Sequence, residues 1–359
     1  MSGLPSIYFR TDGNTEIATG HIMRCLTIAR ACAKQNANAA FIVSDEESLA
    51  LLQERFVVSN EFAVYCLHSD YRRMHEELPV LIDWLDSQTD CKGTVSGASL
   101  SKPWLFVDSY FVTPVYFATL GAHYPVAYLD DLRSFSYNVD LVINYDTETD
   151  SPYYTNARRK LLGPRYTPLR EQFMQPVYTV RPSVQNILLS TGGTDPNGIA
   201  ECLLQKIFDT PDENCRPLQT YDYHIVTSKS NSRYHTLLSM AATNPHIHIH
   251  TGVSDMASLM ASCDLAVSAG GTTLCELCAV GVPTVSYLMA ENQRTAVETF
   301  AKEGLIPFAG VNNSALSNIL RFLTQMSEDE NARKKSSQSM RAFLDGRGAV
   351  RIAEALLHP

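Results

Sequence analysis

Short apolar runs that end in a polar residue recur along this chain. Trp104-Leu-Phe-Val-Asp108, Val126-Ala-Tyr-Leu-Asp130 and Leu141-Val-Ile-Asn144 share the design. Such runs suit strands buried on both faces. Where they alternate with helical spacing they specify parallel sheets. Polar residues at the C-terminal ends of the strands then point to the crevice where such sheets bind ligands. In the first half, strands are expected over 6–10, 38–44, 104–108, 126–130 and 141–144, and helices over 20–35 and 45–55. In the second half, strands are expected over 186–190, 222–227, 247–250, 265–268 and 283–287. A helix is expected over 198–208, with others between the later strands. Helical spacing resumes over 332–357, broken at Asp345-Gly-Arg-Gly. Residues 163–170 are rich in Gly and Pro and read as a linker, continued by 175–183. The polar stretch 87–102 reads as a surface insertion. The expected division is a first domain over 1–163 and a second over 164–359, with the last helix a candidate to pack back on the first.

Composition narrows the function classes. The 359 residues are 45% hydrophobic and 19% charged, which is ordinary for a globular protein and allows roughly two domains. A formal net charge of -9 argues against general nucleic-acid binding. No run approaches the roughly 20 apolar residues of a membrane span. The start, Met1-Ser-Gly-Leu-Pro-Ser-Ile7, lacks a basic region and an apolar signal core. Nine scattered Cys fit reduced thiols better than a disulfide framework. These features lead us to expect a cytoplasmic protein, monomeric or weakly homo-oligomeric. Cys275 and Cys278 have C-x-x-C spacing, but no second Cys pair or local His accompanies them, so no redox or metal role is expected.

The sharpest motif is Ser268-Ala-Gly-Gly-Thr-Thr-Leu-Cys-Glu276. It joins a strand run to a helix run. A Gly pair there lets backbone amides approach a phosphate, and the helix N-terminus favours negative charge. Gly270, Gly271 and Thr272 are the candidate phosphate contacts. Glu276 sits about one turn into the helix, where a carboxylate can accept hydrogen bonds from both ribose hydroxyls. The bland alternative is a tight turn and nothing more. The motif is not a P-loop, since no Lys-Ser/Thr follows, and it lacks the full Gly-x-Gly-x-x-Gly spacing.

Five further groups stand out. Arg10-Thr-Asp-Gly-Asn14 precedes Ala18-Thr-Gly-His21 and Arg24. This places His21 in the first turn of a helix at the sheet edge, a position that favours a neutral, base-competent imidazole. Asp12 in the loop is a candidate to orient it or to bind a sugar hydroxyl. Tyr110, just past the strand ending at Asp108, can cover a sugar face. Thr191-Gly-Gly-Thr-Asp195 is a second phosphate-compatible turn, offering Gly192, Gly193 and Thr194. Glu291-Asn-Gln293 offers the amides of Asn292 and Gln293. His246, His248 and His250 alternate along one strand and share a face. For them an edge-strand face is the expected reading, and a metal site the lesser one for want of an acidic partner in the pattern. Taken singly, each of the other groups also has an ordinary structural reading.

As a set, in this order from Ile7 to about Phe308, these pieces resemble a known family. They include Gly20-His-Ile-Met-Arg-Cys-Leu26, Val107-Asp-Ser-Tyr110, Tyr128-Leu-Asp-Asp131 and Gly192-Gly-Thr-Asp195. The chain resembles the nucleotide-sugar hydrolases of pseudaminic acid synthesis and the related spore-coat polysaccharide proteins. The resemblance implies a glycosyltransferase B fold, with two Rossmann-like α/β domains facing a cleft. It implies inverting, metal-independent hydrolysis of UDP-2,4-diacetamido-2,4,6-trideoxy-β-L-altropyranose to UDP and the free sugar. No cofactor is implied. On this resemblance His21 is the base, with Tyr110 and Asn292 in the sugar site and Glu276 the ribose carboxylate; Asp12 is the further expected catalytic residue, from its place in the loop. The expected substrate contacts are Arg10, Gly20, Arg24, Gly192, Gly193, Thr194, Val253, Gly270, Gly271, Thr272, Glu276 and Gln293. One departure is visible: the family usually shows Gly-x-Gly-His, and this chain has Ala18 at the first position. Two alternatives stay open, a UDP-sugar-dependent glycosyltransferase and a nucleotide-sugar-binding protein without turnover.

Overall fold

The computed structural model describes residues 7–55, 61–90, 102–146, 151–174, 178–209 and 216–358. The chain forms two compact units. One comprises Met1–Pro168 with Arg347–Pro359, the other Leu169–Gly346. The division thus falls at 168/169, and the chain beyond Gly346 counts with the first unit.

The first unit runs β1 (Ile7–Thr11), α1 (Gly20–Lys34), β2 (Ala39–Val43), α2 (Glu46–Ala50), β3 (Ala63–Cys66), α3 (Met74–Asp90), β4 (Trp104–Asp108), α4 (Pro114–His123), β5 (Val126–Leu129), β6 (Leu141–Asn144) and β7 (Arg159–Leu162). Its seven strands form one sheet in the order β3-β2-β1-β4-β5-β6-β7. Every pairing in it is parallel. The cause is visible in the burial. Phe9, Phe41 and Phe106 join Ile22, Cys25 and Leu26 of α1 on one face. Tyr8, Ile42 and Val107 join Leu81 of α3 and Tyr116 of α4 on the other. Strands covered on both sides must be apolar at nearly every position, as the sequence pattern indicated.

The second unit runs β8 (Asn186–Ser190), α5 (Ile199–Phe208), β9 (Asp222–Val226), α6 (Tyr234–Thr243), β10 (Ile247–His250), α7 (Met256–Ser262), β11 (Leu265–Ala269), α8 (Thr272–Val280), β12 (Thr284–Leu288), α9 (Arg294–Lys302), β13 (Phe308–Val311), α10 (Leu316–Glu328) and α11 (Glu330–Phe343). The helix α12 (Gly348–Leu357) follows and packs its Ile352 and Leu356 into the α1 side of the first core. The second sheet is also all parallel, in the order β10-β9-β8-β11-β12-β13. Leu203 and Ile319 cover one face of it, and Met260 and Leu277 the other.

Several elements were not legible from the sequence. The edge strands β3, β7 and β13 carry mostly half-buried residues, so their apolar signal is weak. The helices α3 and α4 also went unread. The helix α3 contains Pro79 within its second turn. It takes in residues 87–90 of the expected insertion, and 91–101 lie outside the described residues. The break at Asp345-Gly-Arg-Gly does separate α11 from α12.

Each sheet has a point where the strand order reverses, between β1 and β4 in the first and between β8 and β11 in the second. Ligand crevices open at the C-terminal ends of such strands. The register sets Thr11 beside Asp108 and Ser190 beside Ser268. The loops leaving those residues carry most of the motifs singled out from the sequence.

Two backbone features in those loops make predictions. Ala18 stands at φ +58°, a left-handed conformation that costs a residue with a Cβ about 1–2 kcal/mol. Ala18→Gly should therefore raise stability by about 1 kcal/mol in a denaturant titration, and an unchanged or lower stability would contradict that backbone. At Gly270 an added Cβ would lie 2.0 Å from Val297 Cγ2. Gly270→Ala should cost about 1–3 kcal/mol by overpacking, and Val297→Ala in the same chain should recover part of it.

Candidate functional site

In the first unit the site is built around one carboxylate. Asp108 is the last residue of β4 and is 1% exposed. Arg24 donates to it twice, from Nε to Oδ2 at 2.6 Å and from Nη2 to Oδ1 at 2.6 Å. His21 Nδ1 lies 2.6 Å from the same Oδ1. Burial pushes the Asp108 carboxyl up, but Arg24 and His21 overcome it and hold the group down at about 2. An ionised carboxylate only accepts, so the shorter contact puts a proton on Nδ1, and Arg24 Nη2, 3.0 Å from that nitrogen, then donates to Asp108 and not to the ring. When the ring is neutral that leaves the lone pair on Nε2, and no described residue donates to it. An imidazole held by a carboxylate at one nitrogen and bare at the other is the arrangement of a general base.

Further groups frame the pair. Tyr110 stands edge-on to His21 with ring centroids 4.3 Å apart, and its hydroxyl donates to Asp131 Oδ2 at 3.3 Å. Arg24 Nη1 donates to the same Asp131 oxygen and to the Tyr145 hydroxyl. His21 is only 4% exposed, while Tyr110 is 43% exposed. The helix α1 brings His21 and Arg24 to one side because they are three residues apart. Its N-terminus has no side-chain cap and no acid in the first turn, so Gly20 opens an electropositive helix end. The Cys25 thiol, 3.6 Å from Asp108, is fully buried and its pKa is driven far up, first by burial and then by Asp108. It is no nucleophile.

Two sequence expectations are corrected here. Asp12 does not orient His21. Its Oδ1 accepts from the Ser44 amide and hydroxyl, and its Oδ2 from Arg10 at 2.5 Å. Arg10 is not placed as a ligand contact. It is 0% exposed and donates through Nε and Nη2 to both oxygens of Glu77. Tyr116 and Ser69 complete that network through Glu77. Charges this deeply buried persist only when paired. Their work is to clamp α3 to β1 beneath the loop that leads to His21.

In the second unit the Gly pair lies between β11 and α8. Gly271 precedes α8 with no side-chain cap, and the first turn of α8 has no acid. Thr272 is exposed at that end. Val297 packs onto Gly270, and Gln293 lies against Gly271 while its Oε1 accepts from the Met289 amide. Glu276 follows one turn later. Its Oε1 accepts from Arg170 Nη2 at 3.1 Å, and no described residue donates to Oε2. Burial raises the Glu276 pKa, against the pull of Arg170. Arg170 was not singled out from the sequence, since 106 residues separate it from Glu276. Asn292 is exposed in a 3-10 turn over Glu291–Gln293, and Val253 packs at the margin of the core beneath α7 and α8.

In the other Gly-rich turn, Asp195 accepts from the amides of Ile199 and Ala200 with its two oxygens. Those two amides at the start of α5 are therefore taken, which leaves the turn's own residues as the candidates for a phosphate. Gly193 and Thr194 remain exposed in the turn, Gly192 holds φ +88°, and the Gly193 carbonyl accepts from Ser228.

The histidines on and just before β10 find partners the sequence pattern did not show. His246 and His248 both face Asp222 Oδ1, at 2.9 and 3.5 Å. His250 Nε2 lies 3.0 Å from His224 Nδ1. Burial, with His248 and His250 alongside, holds the His224 imidazole down to about 4. Among the described residues they do not converge as a set of three ligands. Cys278 is buried with its pKa driven far up by burial and by Cys275, and both are free thiols.

Comparison with known proteins bears on the fold. Residues 187–345 match the sequence model of the Glycosyltransferase family 28 C-terminal domain, and they lie inside the second unit. The chain is 25% identical over 229 residues to the spore coat polysaccharide biosynthesis protein SpsG of Bacillus subtilis, a match covering 62% of this chain and 66% of that protein. It thus spans just under two thirds of that relative. Acinetobacter baumannii MurG superposes with a TM-score of 0.65 at 12% identity, over 98% of this chain and 99% of that one. The UDP-GlcNAc 2-epimerase of Neisseria meningitidis, solved bound to UDP-GlcNAc, superposes with a TM-score of 0.56 at 14% identity, over 98% of this chain and 99% of that one. Among the described residues no helix is long and apolar enough to cross a membrane. The two parallel-sheet α/β units have the fold of the GT-B glycosyltransferases, and the second carries the sequence signature of the family 28 C-terminal domain.

Proposed function

We propose that this protein takes a UDP-linked sugar and cleaves the bond between the anomeric carbon and the UDP oxygen, with His21 as the base. The observation that carries the reading is the His21–Asp108 pair, with Nδ1 held at 2.6 Å and no described residue donating to Nε2. In the proposed step an oxygen nucleophile attacks the anomeric carbon and its proton passes to Nε2. The C–O bond to UDP breaks with its electron pair leaving on UDP. The uncapped start of α8 would take the diphosphate, and Glu276 the ribose hydroxyls. Asp108 stabilises the imidazolium as it forms, and Arg24 keeps Asp108 ionised.

The nucleophile in the first reading is an acceptor hydroxyl, which makes the protein a glycosyltransferase of surface polysaccharide synthesis. The family 28 signature and the spore-coat relative support that reading. One local observation favours a second, in which water replaces the acceptor. His21 is almost wholly enclosed, with the Tyr110 ring against it. Such a setting admits water more readily than a bulky alcohol, and the motif set resembles the nucleotide-sugar hydrolases. The same fold supports an epimerase, so fold does not decide the reaction.

A panel of UDP-sugars, incubated with and without acceptor alcohols, tests both readings. UDP formed only with an acceptor establishes the transferase. Stoichiometric UDP and free sugar without acceptor, with ¹⁸O from water entering the sugar, establishes the hydrolase. Neither binding nor release with any UDP-sugar would remove the proposal.

Two variants check the roles. His21→Ala should lower turnover by about 10²- to 10⁴-fold, the usual range for a lost general base, with UDP affinity little changed. Near-normal turnover in the folded variant would remove His21 from the chemistry. Glu276→Ala should weaken UDP binding by about 1.5–3 kcal/mol, the scale of hydrogen bonds to a charged group. Calorimetry with 2′-deoxy-UDP should show a smaller deoxy penalty in Glu276→Ala than in the parent. An equal penalty in both would mean that Glu276 does not touch the ribose.

A further inference from the structure

A second cluster of chemically active side chains lies on the edge strand of the first sheet, separated from β4 by β2 and β1. Cys66 ends β3, Glu46 begins α2, and His68 follows Cys66 by two residues. The Cys66 Sγ is 3.7 Å from His68 Nδ1, and the same Nδ1 is 3.3 Å from Glu46 Oε1. The three donor atoms all lie within 4.8 Å of one another, and among the described residues no other group of three His, Cys, Asp or Glu side chains converges this way.

The spacing has a chemical meaning. Zinc holds a thiolate sulfur at about 2.3 Å and an imidazole nitrogen or carboxylate oxygen at about 2.0–2.2 Å. Tetrahedral angles then put sulfur and nitrogen about 3.5 Å apart, and nitrogen and oxygen about 3.3–3.4 Å apart. The Sγ–Nδ1 and Nδ1–Oε1 separations fall within about 0.2 Å of these values. The backbone accounts for the placement. The Leu67 amide donates to the Val43 carbonyl and the Ser69 amide to the Ser44 carbonyl, so the chain is tied to the end of β2 on both sides of His68. Between those ties His68 adopts φ +53°, which ends the strand at the thiol. Asp45 caps α2 through the Ser48 amide and so fixes where Glu46 begins. These backbone bonds fix where the three side chains start, and the Glu46 and His68 side chains reach into solvent, each 70% exposed.

We propose that Glu46, Cys66 and His68 bind a zinc-class divalent cation, with water completing the tetrahedron. Thiolate and imidazole donors exclude calcium and magnesium, which take oxygen ligands. Three protein ligands leave one position open. The site is distinct from the His21–Asp108 pair, and its ion ties the exit of β3 to α2.

Cobalt(II) titrated into the full chain, after removal of metal by a chelator, is the test. The parent should take up about one equivalent in a site with the near-ultraviolet thiolate-to-cobalt band and the intense visible bands of tetrahedral cobalt, and zinc should displace it. Cys66→Ser should lose the charge-transfer band. His68→Asn keeps a residue type that tolerates positive φ and should abolish tetrahedral binding at the concentration that saturates the parent. Circular dichroism establishes that both variants are folded. Cobalt binding without a thiolate band, or a band that survives Cys66→Ser, would overturn the proposal, and so would the absence of binding.

Discussion

A carboxylate buried at the end of a central strand dictates the arrangement of the first unit's site. Asp108 is 1% exposed, and an isolated charge there would be costly. Arg24 supplies the opposite charge with two hydrogen bonds, and the helix α1 must run where Arg24 can reach. His21, one turn earlier on the same helix, is thereby delivered to the remaining side of the carboxylate. The linkage has a sign. The Asp108 pKa is depressed to about 2, below the roughly 3.9 of an unfolded Asp. Its contribution to stability is therefore complete above about pH 4 and lost as the pH falls through about 2. Near neutrality the pair is under no such strain, and the tautomer of His21 is set by a charge that stays in place.

The two units use one sheet logic with different results. In each, the strand order reverses beside the first strand, and two loops leave the sheet side by side at that point. In the first unit the strand ends are polar and charged, and they hold the His21–Asp108 pair. In the second they are Ser190 and Ser268 with glycines after them, and they open an uncapped helix. The contrast between α5 and α8 shows how one side chain decides such a site. Asp195 accepts from two amides at the start of α5, whereas no side chain caps the start of α8 at Gly271. Arg170 against Glu276 adds a positive charge to the same neighbourhood.

Local pattern carried much of this into the sequence. The strand-glycine-helix joint at 268–276 was legible because every part of it is contiguous. The parallel architecture was legible from apolar runs with polar ends. The partners of the key residues were not, because packing brings them from afar. Asp108 is 87 residues from His21, and Asp12 looked like its partner only because it is near in sequence. Arg10 looked like a ligand contact because it ends a strand, but β1 is buried over its whole length and the guanidinium meets Glu77 from α3. The Ala18 departure was legible as a backbone question, and the structure answers it with a positive φ. The thiol, imidazole and carboxylate around Cys66 had no motif, since β3 itself was too short and too exposed to be read.

The account turns on the proton between His21 and Asp108, and nitrogen-15 NMR of the histidine side chains measures it directly. At neutral pH, with His21 assigned by comparison with His21→Gln, the ring should show a protonated Nδ1 and a bare Nε2. Replacing Asp108 with Asn should shift that signal while the other assigned imidazoles stay in place. A ring protonated at Nε2 and bare at Nδ1, or a His21 signal indifferent to Asp108→Asn, would contradict the account.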